Sequence, residues 1–176
     1  MKNTKKKNEI YPSKLEQNRG YALLETIFYI LLFAILSIAV IDALMTMTKS
    51  FKETAIESDL MQGGNIMERM TREIRQANGI SAIGATDLKL NTKDNAGAAK
   101  TVEFLLAGSD IQFLENNAIT GNLNSSNISV TNLSFAQINT VKGASVKITL
   151  SVKSNNDPVA RNENFYDTIV LRGDYQ

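Results

Sequence analysis

The sequence predicts an α+β fold, in which one long N-terminal helix packs on a C-terminal antiparallel β-sheet domain. Three observations predict it. An apolar run occupies residues 22–41. No proline or glycine interrupts residues 21–62, as expected of a continuous helix. After Gly79, apolar and polar residues alternate with a period of two, which is typical of strands with one face in water.

The composition excludes several classes of function. The chain has 176 residues, of which 19 are Lys or Arg and 18 are Asp or Glu, with no His, Cys or Trp. Without Cys there is no disulfide framework, thiol nucleophile or zinc–thiolate cluster. Without His, the commonest general base and metal ligand are missing. We therefore expect a non-enzymatic protein without cofactors, and the net charge of +1 gives no indication of a nucleic-acid partner.

Charge is unevenly distributed along the chain. The first 20 residues hold six basic and two acidic side chains, a net charge of +4, whereas the remainder has a net charge of −3. The charges just after the apolar run sum to −2: Asp42, Lys49, Lys52, Glu53, Glu57 and Asp59. A helix of this length spans the ~30 Å hydrocarbon core of a bilayer. Because basic flanks stay in the cytoplasm, we predict a single-pass protein with a cytoplasmic N-terminus.

The apolar run contains one charged residue, Glu25. Two ordinary interpretations of the run are a cleaved secretory signal peptide and an uncleaved signal anchor that carries an ectodomain. The run is long for a signal peptide and lacks an Ala-x-Ala-like cleavage site before the polar residues. Neither interpretation accounts for Glu25, because a carboxylate inside a bilayer costs several kcal/mol unless it is paired or shallow.

Residues 19–25 read RGYALLE and lead directly into the apolar run. This arrangement resembles the prepilin signature of type IV pilins and type II secretion pseudopilins. The resemblance implies that a prepilin peptidase cuts between Gly20 and Tyr21 on the cytoplasmic side, and that Tyr21 becomes an N-methylated first residue. Glu25 is then the fifth mature residue, where the family has its Glu. Tyr21 replaces the more usual Phe, and the leader is longer than in many members.

The chemistry of these residues suits the resemblance. A glycine before the cut lets the backbone enter a tight protease groove. Cleavage creates an ammonium at Tyr21, which can pair with the Glu25 carboxylate of a neighbouring subunit. Two charges that are costly alone in lipid would then become a satisfied pair only on assembly.

The sequence after the apolar run predicts an amphipathic continuation of the helix over residues 43–79. One continuous face is formed by residues spaced four and three apart: Gly63, Met67, Met70, Ile74 and Ala77. We expect this face to pack on the following sheet, and Asn78-Gly79 to end the helix. The paired glycines Gly63-Gly64 lower helix stability and indicate a kink, a short break or the close approach of another element.

Seven strands are predicted in the β-rich domain, residues 80–176. They cover residues 80–83, 87–90, 101–106, 110–114, 128–135, 145–152 and 166–171. Turn clusters separate them at residues 93–97, 115–117, 121–127 and 155–158. We expect one antiparallel sheet that lies across the amphipathic half of the helix. In the order of its elements this half resembles J-class pseudopilins and W-type minor pilins.

Other candidate sites have simpler explanations. Three Asn-x-Ser sequons begin at Asn124, Asn127 and Asn132, and turn and strand chemistry explains them. Seven acidic residues are candidate calcium ligands, but none lies in the alternating spacing of an EF-hand loop: Asp87, Asp94, Asp110, Asp157, Glu163, Asp167 and Asp174. No Gly-rich phosphate loop or Ser-x-x-Lys element occurs in the sequence. We therefore predict no catalytic and no metal site.

Four segments follow: a basic prepilin leader (1–20), a transmembrane half-helix (21–42), an amphipathic half-helix (43–79) and a β-rich globular domain (80–176). The resemblance implies a structural minor pilin or pseudopilin that leaves the cytoplasmic (inner) membrane for a pilus or pseudopilus. Its implied partners are the prepilin peptidase, other pilin or pseudopilin subunits, the inner-membrane assembly platform and, before assembly, membrane lipid. The alternatives are an unprocessed membrane-anchored binding ectodomain and a surface hydrolase with two converging carboxylates.

Overall fold

A computed structural model describes residues 17–140 and 143–171. They form one long helix, α1 (Gln17–Gln76), followed by eight strands. The strands are β1 (Gly79–Ile83), β2 (Asp87–Lys93), β3 (Ala99–Ala107), β4 (Asp110–Glu115), β5 (Ala118–Asn122), β6 (Ile128–Thr140), β7 (Gly143–Ser154) and β8 (Asn162–Val170). All but the last four residues of the predicted leader lie outside the described residues. The α+β class, with a long N-terminal helix and antiparallel sheets, is confirmed.

The chain divides into two compact units, residues 1–51 and residues 52–176. The described part of the first unit is helix alone. In the second unit, α1 and the residue that follows it, Ala77, pack on the strands through a buried face that includes the predicted stripe: Ile56, Gly63, Ile66, Met67, Met70, Ile74 and Ala77. The predicted packing face is therefore confirmed as part of the core.

Gly63 lies in close contact with β8. A Cβ atom added to Gly63 would lie 2.3 Å from Cε2 of Phe165, whereas one added to Gly64 would lie 3.8 Å from Cε1 of the same ring. The helix continues through both glycines without a break. Of the three alternatives for this pair, the close approach of another element is the one found, because a side chain at position 63 would overlap the ring.

The strands form two antiparallel sheets, and the expectation of a single sheet is wrong. β1 to β5 form one sheet in chain order, and β6, β7 and β8 form the other. Between the sheets the chain passes through a turn held by buried Asn124, whose side chain bonds the backbone of Ile111 and Ile128. This turn carries the chain out of the first sheet, so β6 pairs with β7 and not with β5.

All seven predicted strands occur, and several are longer than predicted. The apolar residues of β7 are buried as the alternation predicts: Val146, Ile148, Leu150 and Val152. β5 is not marked in the sequence, because all five of its residues are exposed and no apolar alternation reveals it. Asn116 and Asn117 form the turn before it, with φ values of 50° and 67°. Gly121 and Asn122, predicted as a turn, instead end this strand.

Candidate functional site

The first unit is an apolar helix whose side chains are exposed on every side. Large apolar residues are exposed throughout residues 21–51, among them Tyr21 at 75% and Phe33 at 72%. A helix that is apolar all round is stable only where a membrane core or other helices cover it. The helix is long and apolar enough to cross a membrane.

Hydroxyl groups on this helix are satisfied by its own backbone. Each donates a hydrogen bond to the carbonyl oxygen four residues earlier: Thr26 to Ala22 at 2.6 Å, Ser37 to Phe33 at 2.8 Å, and Thr46 and Thr48 to Asp42 and Leu44 at 2.9 Å. Such bonds let a polar side chain remain in an apolar environment without an outside partner. Glu25 is therefore the exceptional group in the segment before Asp42.

The predicted processing and assembly residues lie at the start of this helix. Gly20 and Tyr21 are the fourth and fifth residues of α1, and a Cβ atom at Gly20 would meet nothing within 4 Å. Tyr21 and Glu25 are four residues apart and so share one face of the helix; both side chains are exposed. The three residues thus lie on open helix surface.

Glu25 has one neighbour that lies outside the signature of residues 19–25. The hydroxyl of Tyr29 donates a hydrogen bond of 3.0 Å to Oε1 of Glu25. Spacing of four residues could have revealed this pair, because such residues are neighbours on a helix. The other carboxylate oxygen, Oε2, accepts no hydrogen bond within residues 17–140 and 143–171. One side of the carboxylate is therefore oriented by Tyr29, and the other is open to a donor from outside the chain.

Comparison with known proteins neither supports nor opposes a family assignment. No protein-family model, curated protein or solved structure matches this chain. Among the described residues, no group of three or more acidic side chains is placed to hold a metal ion. The function is therefore inferred from the geometry of the chain itself.

A buried carboxylate joins α1 to the β7–β8 loop in the second unit. Asp59, 7% exposed, accepts a 2.8 Å hydrogen bond from the Ser154 hydroxyl and a 3.3 Å bond from the Asn156 amide at Oδ2. The amides of Gln62 and Asn127 each lie 3.5 Å from Oδ1. The carboxylate is thus satisfied entirely by neutral donors, which fix this loop to the helix.

The same loop contains a second fixed carboxylate. Asp157 is buried and accepts hydrogen bonds from the backbone N–H groups of Val159 and Arg161 and from Nε of Arg161 at 2.8 Å. The hydrogen bond from the Arg161 side chain lowers the pKa of Asp157 to about 2. Arg161 also forms an ion pair with Glu53 of α1, and hydrogen bonds to Glu53 and Asp157 raise the pKa of its guanidinium.

Several candidate calcium ligands and glycan acceptors have hydrogen-bond partners within the fold. Three of the candidate calcium ligands accept hydrogen bonds: Asp94 from Ala96 and Ala98, Asp110 from Asn122 and Asn124, and Asp167 from Thr71. Asn124 is buried, and its amide nitrogen donates to Asp110 and Ile128. Its role is to hold the turn between the sheets, as turn chemistry predicts.

Proposed function

We propose that this chain is a structural subunit of the pilin class, a minor pilin or pseudopilin. In this proposal it is made as a single-pass precursor with its N-terminus in the cytoplasm, processed between Gly20 and Tyr21, and then assembled into a type IV pilus or type II secretion pseudopilus. One observation carries the proposal: Glu25, with an open carboxylate oxygen, lies five residues after Gly20 and is the one charged residue in a helical segment (residues 21–41) whose large apolar side chains are exposed.

Processing would change the charge of this surface. Removal of residues 1–20 by a prepilin peptidase leaves a new amine at Tyr21, which N-methylation keeps basic. Six basic side chains leave with the leader, so the signal for a cytoplasmic N-terminus is used once and discarded. The mature helix then begins with one cation and has one anion four residues later.

Assembly would satisfy both charges. An ammonium and a carboxylate are each unfavourable in a hydrocarbon environment, and they are far less so as a hydrogen-bonded pair. The Tyr21 ammonium of one subunit would bond the free oxygen of Glu25 in the next, while Tyr29 continues to hold the other oxygen. A contact between two different surface regions that also displaces each subunit along the helix axis cannot close into a ring, so repetition of this contact builds a filament.

The partners follow from this sequence of events. Membrane lipid covers the helix before assembly, and the apolar helices of other pilin or pseudopilin subunits cover it afterwards. The prepilin peptidase and the inner-membrane assembly platform act in between. The role is structural, with no enzymatic activity of its own and no direct contact with nucleic acid.

Three substitutions test the proposal. Glu25→Ala should be cleaved and remain in the membrane yet fail to enter fibres, whereas Glu25→Gln, which keeps the shape and removes the charge, should show whether charge is the cause. Gly20→Ala should accumulate as the precursor, which migrates on a gel as a larger protein because it retains the leader. An unprocessed membrane-anchored ectodomain predicts the opposite, namely that Gly20→Ala leaves chain size, location and activity unchanged. Normal fibres from Glu25→Ala would refute the pairing argument.

A further inference from the structure

A second pair of charges lies at the far end of the exposed apolar surface. Asp42 and Lys49 are exposed, and the residues around them are large, apolar and also exposed: Ile41, Leu44, Met45, Met47 and Phe51. Neither charged side chain forms a hydrogen bond or ion pair within the part of the chain that the structure describes. Both charges therefore lack a partner on a surface that must be covered by something apolar.

Asp42 and Lys49 are not placed to pair with each other in one chain. They are seven residues apart, which is two helical turns and about 10 Å along the axis. Side chains on a helix meet at spacings of three and four residues, and the side chains here lie on the same face but a full turn too far apart. An ion-pair partner for either residue must therefore come from another molecule.

We infer that Asp42 of one subunit forms an ion pair with Lys49 of a second copy of the same chain, in the same parallel orientation. This inference depends on the proposed function, because parallel copies are brought together by assembly. A copy displaced by seven residues towards the helix C-terminus, or about 10 Å, places its Asp42 level with Lys49 of the first copy. Opposite charge on an apolar surface is what identifies a second copy as the occupant of this face.

The N-terminal pair requires a displacement in the same direction. The Tyr21 ammonium of the displaced copy would be level with Glu25 of the first copy after a shift of four residues, or about 6 Å. Helical side chains lean towards the helix N-terminus, and Lys has a flexible four-carbon stem, so the Lys49 ammonium can reach an Asp42 that lies nearer the helix N-terminus than the Lys49 Cα. The displacements for the two pairs, about 6 and about 10 Å, therefore differ by no more than about one helical turn, part of which the Lys49 side chain can span.

Apolar contacts agree with this register. A shallow depression of about 380 Å³ lies beside Lys49 and is lined by Ile41, Leu44, Met45, Thr48 and Lys49. In the displaced copy, the residues level with this depression are residues 34–42, all of them apolar except Ser37 and Asp42, the residue that would pair with Lys49. If the two copies were not displaced along the helix axis, Asp42 would lie beside Asp42 and Lys49 beside Lys49. Repulsion between like charges disfavours that register, so the two residues both select the displaced register and reject the level one.

Cysteine cross-linking measures this displacement directly, because the chain has no cysteine of its own. Cells that make Asp42→Cys and Lys49→Cys chains together should give a disulfide-linked dimer whose cross-linked peptide joins positions 42 and 49. Either variant alone should give none, since that would require level copies. Ile35→Cys with Lys49→Cys is the matched control, because position 35 lies on the same face but requires twice the displacement. The inference would be overturned if either single variant, or the control pair, formed cross-links in the same yield as the 42–49 pair. It would also be overturned if assembled fibres contained no 42–49 cross-link.

Charge reversal supplies a second measurement in cysteine-free chains. Asp42→Lys and Lys49→Asp should each lower fibre yield about tenfold or more, and the double variant should recover most of the yield. If wild-type chains are cleaved and form fibres but the double variant does not recover, the Asp42–Lys49 pair is refuted and the proposed function stands. If wild-type chains are neither cleaved nor assembled, the proposed function fails and this inference fails with it.

Discussion

The contact between Gly63 and Phe165 gives a sharp test of how α1 packs on β8. Two adjacent glycines in the same helix differ in their surroundings, so they form a matched pair. Alanine at position 64 would place its Cβ 3.8 Å from Phe165, an ordinary contact, whereas alanine at position 63 would place it 2.3 Å from the ring edge. The same substitution should therefore have opposite effects at the two positions.

The expected magnitudes follow from two opposing effects. Glycine to alanine inside a helix stabilises by about 1 kcal/mol, because glycine has more conformational freedom to lose. Overpacking of a close contact costs about 1–3 kcal/mol. Gly64→Ala should thus raise the free energy of unfolding by about 1 kcal/mol. The free energy of unfolding of Gly63→Ala should be about 1–3 kcal/mol lower than that of Gly64→Ala.

Thermal unfolding of the full-length chain in detergent micelles measures this difference. Far-ultraviolet circular dichroism follows the loss of the two sheets, all of whose strands lie in the second unit (residues 52–176). A change of 1 kcal/mol corresponds to a shift in Tm of about 4 °C for a unit of this size, which lies between the size classes of small and large domains. In a Phe165→Ala background, which removes the ring, Gly63→Ala should become stabilising. Equal Tm shifts for the two glycine variants, or a Gly63→Ala that remains destabilising without the ring, would refute the packing argument.

Two further predictions concern the loop that joins β7 to β8. Asp59→Ala should destabilise the β-rich unit by about 1–3 kcal/mol in urea titrations, because buried donors such as the Ser154 hydroxyl lose their acceptor; an unchanged midpoint would show that the carboxylate holds nothing in place. Asp157 has a folded-state pKa of about 2, below its ordinary value of 3.8, so its stabilising effect should be full above pH 4 and disappear as the pH falls towards 2. The stability difference between wild type and Asp157→Asn should shrink across that range, and a difference independent of pH would contradict the role of its charge.

Much of the fold follows from local periodicity. The stripe from Gly63 to Ala77 and the alternation in β7 are patterns of burial, and each was predicted because apolar residues recur at the period of the element. The sequence does not predict β5, because its residues are all exposed and so show no pattern of buried apolar positions. The chain passes from one sheet to the other at buried Asn124, whose side chain bonds the backbone of Ile111 and Ile128, and periodicity does not report such side-chain contacts.

The candidate site divides in the same way. Gly20, Tyr21 and Glu25 were identified because their spacing in the sequence is itself the signal, and the bond from Tyr29 to Glu25 extends that local logic by one turn. The Asp59 contacts were not predictable, because Ser154 is 95 residues away along the chain. Only the folded arrangement of α1 against the β7–β8 loop brings those groups together.

In the proposed function, the first 20 residues are removed and the chain functions with a new N-terminus. Mass spectrometry of the protein purified from cells with an active prepilin peptidase tests it most directly. We expect an N-terminal peptide that begins at Tyr21 and carries one methyl group on its amine. A chain that retains Met1 or any other part of the leader in such cells would contradict the account.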